Sequence, residues 1–157
     1  MSFSERAVER CLRLMKSLEA SERAARDVIR QEEVDVRPFE RYLSSENSMV
    51  RRIAVKIVAA HGNVDEVINA ALVENDRSIL AEMLYCLGER KEGNIKRLCL
   101  FLESDDDLVR EATIKMFRRA GREDLLFSLM FDESDSVVER VKNYIAQKEE
   151  RVESTGI

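Results

Sequence analysis

The residues able to do chemistry in this chain of 157 amino acids are few: one histidine, His61, three cysteines, Cys11, Cys86 and Cys99, and two acidic runs, Asp105-Asp106-Asp107 and Asp132-Glu133-Ser134-Asp135. A histidine acting as general base or metal ligand needs partners such as a second histidine or a cysteine, and neither stands near His61. The cysteines are odd in number and widely spaced, which suits neither a disulfide framework nor a zinc site. They fall at apolar helical positions and read as small buried hydrophobes. The acidic runs offer oxygen ligands for calcium or magnesium, but the twelve-residue loop with its central glycine is missing. A different set stands out by position: Arg52, Lys56, Tyr85, Lys115, Arg118, Arg140 and Tyr144, in which lysine and tyrosine alternate along the series Lys56, Tyr85, Lys115, Tyr144.

The elements that must carry these residues follow from a repeat. Leu43, Leu72, Leu102 and Phe131 recur at intervals of 29, 30 and 29 residues. One helical turn before them stand Phe39, Ile68, Leu98 and Phe127. Four residues after them come Asn47, Asp76, Asp106 and Asp135, whose short side-chain oxygens can accept from the free amides that open a helix. An apolar stripe follows each cap: Val50, Ala54, Ile57 and Val58, then Ile79, Met83, Cys86 and Leu87, then Val109, Thr113, Met116 and Phe117, and finally Val138, Val141, Tyr144 and Ile145. Each unit therefore reads as a short first helix, a turn and a longer second helix. The predicted first helices lie near 38–44, 64–74, 94–103 and 123–131, and the second near 48–61, 77–90, 107–120 and 136–149. Gly62 and Gly121 follow second helices, where a left-handed cap is easy. On this register the acidic runs cap second helices and complement their dipoles, and His61 meets the carbonyl end of one.

Before these units lies a looser one over residues 3–31, a degenerate cap in which Leu14 and Leu18 imitate the Phe39 and Leu43 pair and Ser21 opens a short second helix. Residues 149–157 read as a frayed tail. One domain over residues 1–157 is expected, with four repeats over 35–148. A content of 45% hydrophobic and 36% charged residues with one proline suits an all-helical globular protein. No run of eighteen apolar residues exists and the first residues do not form a signal sequence, so a cytoplasmic protein with no membrane partner is expected.

The segments Val50-Arg51-Arg52-Ile53-Ala54-Val55 and Val109-Arg110-Glu111-Ala112-Thr113-Ile114, each after an Asx cap and each followed by Gly62 or Gly121, resemble HEAT-like repeats, closest to the short bilin-lyase type. The resemblance covers about residues 35–148 and departs from the family at Leu80 and Glu139, which stand where arginine is usual. It implies an all-α, right-handed α-α superhelix with second helices on the concave side. It also implies that Arg51 and Arg110 bond to acidic caps in the same or a neighbouring repeat. Metal-dependent hydroxylases of this kind carry repeated His-Glu pairs, whereas His61 precedes Gly62.

Positions 9, 13 and 16 beyond each anchor share a face of the second helix outside its core stripe, and they supply the seven residues named above together with Ala81 and Glu111. That face reads as net basic although the chain carries a formal charge of −5. The expected function is a non-catalytic scaffold or adaptor that binds a partner protein with an acidic segment, with no catalytic, cofactor or metal residues. A bilin-lyase-like enzyme or chaperone is the alternative, and a HEAT-like nucleic-acid binder ranks below it because the net charge is acidic. Self-association through the ends of the stack stays open, at Phe3 and Val8 or at Val137, Val141 and Ile145.

Overall fold

The computed structural model describes residues 2–15 and 18–129, together with the isolated residues 139, 142, 143 and 146. Among the described residues every regular element is helical. The order is α1 (Phe3–Leu14), α2 (Leu18–Ile29), α3 (Arg37–Glu40) running into a 3₁₀ turn (Arg41–Ser44), α4 (Ser48–His61), α5 (Val64–Ala71), α6 (Arg77–Arg90), a 3₁₀ segment (Ile95–Glu103), α7 (Asp107–Arg119) and α8 (Glu123–Leu129).

The longer helices open where the Asx residues stand. Asn47 accepts from the amides of Met49 and Val50, Asp76 from those of Ser78 and Ile79, and Asp106 from that of Leu108. These bonds satisfy amides that the first helical turn leaves free. Asp135, the fourth cap of the series, lies outside the described residues. Asp106 also reaches Arg77 at 3.3 Å and Asp107 pairs with Arg110, so this acidic run is engaged in capping and ion pairing. The run from Asp132 to Asp135 lies outside the described residues.

Helices α2, α4, α6 and α7 form one row, each packed against the next, while α3 with its turn, α5 and the 3₁₀ segment flank them in a second row. The core runs between the rows, through Phe39, Ile57, Ile68, Leu87, Leu98 and Phe117, all fully buried. Leu102 is fully buried and Leu43 nearly so, whereas Leu72 is only partly buried against the core. Phe131, and the side chain of Phe127, lie outside the described residues.

Arg51 ties two units together. It donates from Nε and Nη2 to the two carboxylate oxygens of Glu74, both at 3.0 Å, and from Nη1 to the carbonyl of Ser45 at 2.7 Å. Glu74 stands two residues before the cap Asp76. Arg110 repeats the carbonyl bond, to Ser104 at 2.7 Å, and takes Asp107 of its own unit as its ion partner. Leu80, at the position equivalent to Arg51, is buried in the core.

Four local expectations are corrected. In the amino-terminal unit Cys11 and Met15, each 28 residues before Phe39 and Leu43, are buried, whereas Leu14 is only partly so and the side chain of Leu18 lies outside the described residues. Helix α2 begins at Leu18, so Ser21 lies inside it and is buried rather than opening it; the capping residue seen here is Ser2, in a reciprocal pair with Glu5 at the start of α1. Gly62 is extended, with φ −98°, and its place is explained by close approach: a Cβ there would lie 2.8 Å from the Val58 carbonyl oxygen. Gly121 does take the left-handed conformation, at φ 70°. Finally, residues 95–103 form a 3₁₀ segment rather than an α-helix. With about 2.0 Å rise per residue, its nine residues reach about 18 Å, against about 13 Å for an α-helix of that length.

Candidate interaction face

The Asx caps and apolar stripes of α4, α6 and α7 leave the polar residues of these helices on one side. Arg52 and Lys56 project from α4 toward α6, where Arg52 Nη2 donates to Ser78 Oγ at 3.0 Å and Lys56 Nζ lies 3.8 Å from a Glu82 carboxylate oxygen. Arg90 closes the far end of this seam by donating to the Ala59 carbonyl at 3.0 Å. Across the next seam the Arg119 guanidinium lies 4.0 Å from the centre of the Tyr85 ring, a cation–π contact, and 3.2 Å from Glu89. Tyr85 stays 47% exposed. On α7, Lys115 pairs with Glu111 at 2.9 Å, one turn back.

A groove of about 860 Å³ runs between α6 and α7. It is lined by Ala81, Tyr85, Leu108, Ala112, Lys115 and Arg118 among others. The structure thus brings Tyr85, Lys115 and Arg118 into one groove and sets Arg52 and Lys56 on the adjoining helix. Arg140 and Tyr144 lie outside the described residues.

The face is less basic than the single-helix pattern suggested. Of five cations, Arg52, Lys56, Lys115, Arg118 and Arg119, three pair with carboxylates of the face, Lys56 with Glu82, Lys115 with Glu111 and Arg119 with Glu89, so most positive charge is locally matched. Sequence reading missed Glu82, Glu89 and Arg119 because they fall outside the repeat positions it selected, and only cross-helix packing brings them in. The alternation of charge between facing helices, Lys56 to Glu82 and Glu89 to Arg119, is the signal that could have found them.

The remaining reactive residues have other engagements. Burial pushes the Cys11 thiol up to about 11, and burial together with the Glu82 and Glu89 carboxylates pushes Cys86 up to about 12. Both thiols are therefore protonated near neutral pH and poor nucleophiles. His61 Nε2 lies 2.8 Å from the Ile29 carbonyl, fastening the end of α4 to the end of α2. Among the described residues, no three His, Cys, Asp or Glu side chains are grouped to hold a metal ion, and no helix is long and apolar enough to cross a membrane.

No family model and no curated protein matches the chain. Among solved structures it is similar to the crystal structure of an engineered protein from the Northeast Structural Genomics Consortium, at 17% identity, covering 90% of this chain and 77% of that one, with a TM-score of 0.51. A likeness at that identity concerns the fold alone.

Proposed function

We propose that this chain is a HEAT-like α-solenoid of right-handed hand, working as a non-catalytic, cytoplasmic scaffold or adaptor that binds a partner protein across the face of α4, α6 and α7. The observation that carries the reading is the convergence of Arg52, Lys56, Tyr85, Lys115 and Arg118 on one continuous surface. Their partners are neighbouring side chains rather than core groups, so the face contributes little to stability while displaying arginine and a half-exposed tyrosine, residues favoured at protein interfaces. The remaining excess of cations over carboxylates suits a partner with an acidic segment. In the sequence, Arg140 and Tyr144 hold the equivalent repeat positions one unit further on.

The test is replacement of Arg52, Lys56, Lys115 and Arg118 by glutamate, followed by capture of partners from native lysate. Loss of bound proteins with unchanged helicity supports the reading; an unchanged set of partners defeats it.

A further inference from the structure

The two seams along the face differ. Between α4 and α6 the surface is closed by the Arg52–Ser78 bond, the Lys56–Glu82 pair and the Arg90–Ala59 bond. Between α6 and α7 only the carboxyl-terminal half is closed. There Gly88 draws the helices together, since a Cβ at this glycine would stand 3.0 Å from the Met116 carbonyl and 3.1 Å from Arg119 Cβ, and the Tyr85–Arg119–Glu89 cluster sits over the contact.

Amino-terminal to that clamp the groove is left open and its bottom is small and apolar. Ala81 stands at the repeat position that Arg52 fills one unit earlier, and Ala112 at the position that Glu82 fills one unit earlier, so neither of these seam-closing side chains is present. Met116 is buried beneath them, and Leu108 is left 37% exposed at the mouth. From Ser78 to Tyr85 α6 advances two turns, about 10 Å, room for two side chains one helical turn apart.

The α7 rim is cationic. Among the described residues Lys115 is held by an exposed pair with Glu111, which is weak and easily exchanged. Arg118 has no carboxylate within salt-bridge distance among the described residues. Glu82 and Glu111 on the walls disfavour a continuous phosphate backbone, while a peptide needs only one or two carboxylates placed at that rim.

We infer that the α6–α7 groove is the anchoring site of the face, and that its occupant is an amphipathic helix of the partner protein. That helix inserts two apolar side chains, three or four residues apart, over Ala81 and Ala112, and presents a carboxylate to Arg118 and Lys115. The inference rests on the scaffold reading and narrows it to one seam and one peptide chemistry.

A display library of random helical peptides, selected on the immobilised full chain, tests it. Enriched peptides carry apolar residues at that spacing beside Asp or Glu, and the affinity of a labelled enriched peptide, read by fluorescence anisotropy, falls at least about tenfold in Ala81→Trp, which fills the groove, and in Arg118→Glu. Arg118 is exposed, so its variant keeps the fold even if the tryptophan perturbs α6. Peptides that bind equally well to both variants, that lack the pattern, or that fail to enrich at all overturn the groove. Peptides lost only in Lys56→Glu place the contact at the α4–α6 seam, which overturns the groove while leaving the wider face reading intact.

Discussion

Replacing Glu74 by alanine measures how much one unit depends on the next. The Glu74 side chain is 3% exposed and accepts four hydrogen bonds: from Arg51 Nε and Nη2 at 3.0 Å each, and from the amides of Asn75 and Asp76 at 3.1 and 2.9 Å. Truncation leaves the guanidinium without its carboxylate, and losing one member of a buried pair costs about 3–5 kcal/mol. Arg51 is 17% exposed and keeps its bond to the Ser45 carbonyl, which places the loss near the lower end, about 3 kcal/mol. For a domain of this size that is a fall in melting temperature of about 6–12 °C. Arg51→Leu, which installs the residue that α6 carries at the equivalent position, leaves Glu74 buried with only two amide donors and costs at least as much. Removing both together relieves the uncompensated charge, so the double variant is less destabilised than the sum of the singles by about 1–3 kcal/mol. Urea and thermal unfolding followed by far-ultraviolet circular dichroism give all three values. Single changes worth less than about 0.5 kcal/mol, or strictly additive ones, would refute the inter-unit tie.

Leu102→Ala should cost about 2–5 kcal/mol because the side chain is fully buried, while Leu72→Ala at the equivalent but partly buried position should cost clearly less; equal losses in denaturant titrations would contradict the packing. At pH 8 the Cys11 and Cys86 thiols should resist a thiol reagent in the folded protein and react fast in urea, and rapid native labelling of either, read by mass spectrometry, would count against their burial. Bonds from the Ile79 amide first, and then from the Ser78 hydroxyl, hold the Asp76 carboxyl below its ordinary value. A carboxylate shifted downward in the folded state adds stability above its unfolded value and loses it as the pH falls, so Asp76→Asn should flatten the stability profile below about pH 4. Identical acid limbs for the two proteins would show that the cap bonds do not favour the charged form.

The long second-position helices were legible because their signals are local. Asn47 and Asp76 cap α4 and α6 where the Asx spacing placed them, and both helices run between the expected bounds, Ser48–His61 and Arg77–Arg90. In the amino-terminal unit leucines outrank Cys11 and Met15 in hydrophobicity, yet it is Cys11 and Met15 that join the buried core where α1 packs on α2, while Leu14 is only partly buried. The spacing of Ile95, Leu98 and Leu102, three residues and then four, is that of one face of an α-helix, so the 3₁₀ conformation could not be read from it. The chosen face residues do gather, but its charge balance depends on Glu82, Glu89 and Arg119 meeting partners on other helices, and its groove depends on backbone approach at Gly88. Both are products of packing between units, to which the pattern of one helix is blind.

Docking of partners on the face of α4, α6 and α7 is read most directly by photo-crosslinking with benzoylphenylalanine placed singly at Lys56, Tyr85 and Lys115, and at Lys96 and Leu100 on the 3₁₀ segment as controls. All five positions are exposed or partly so. Crosslinked partner species are expected in native lysate from the three face positions and none from the two controls. Crosslinks that arise equally from the controls, or only from them, would contradict docking on this face.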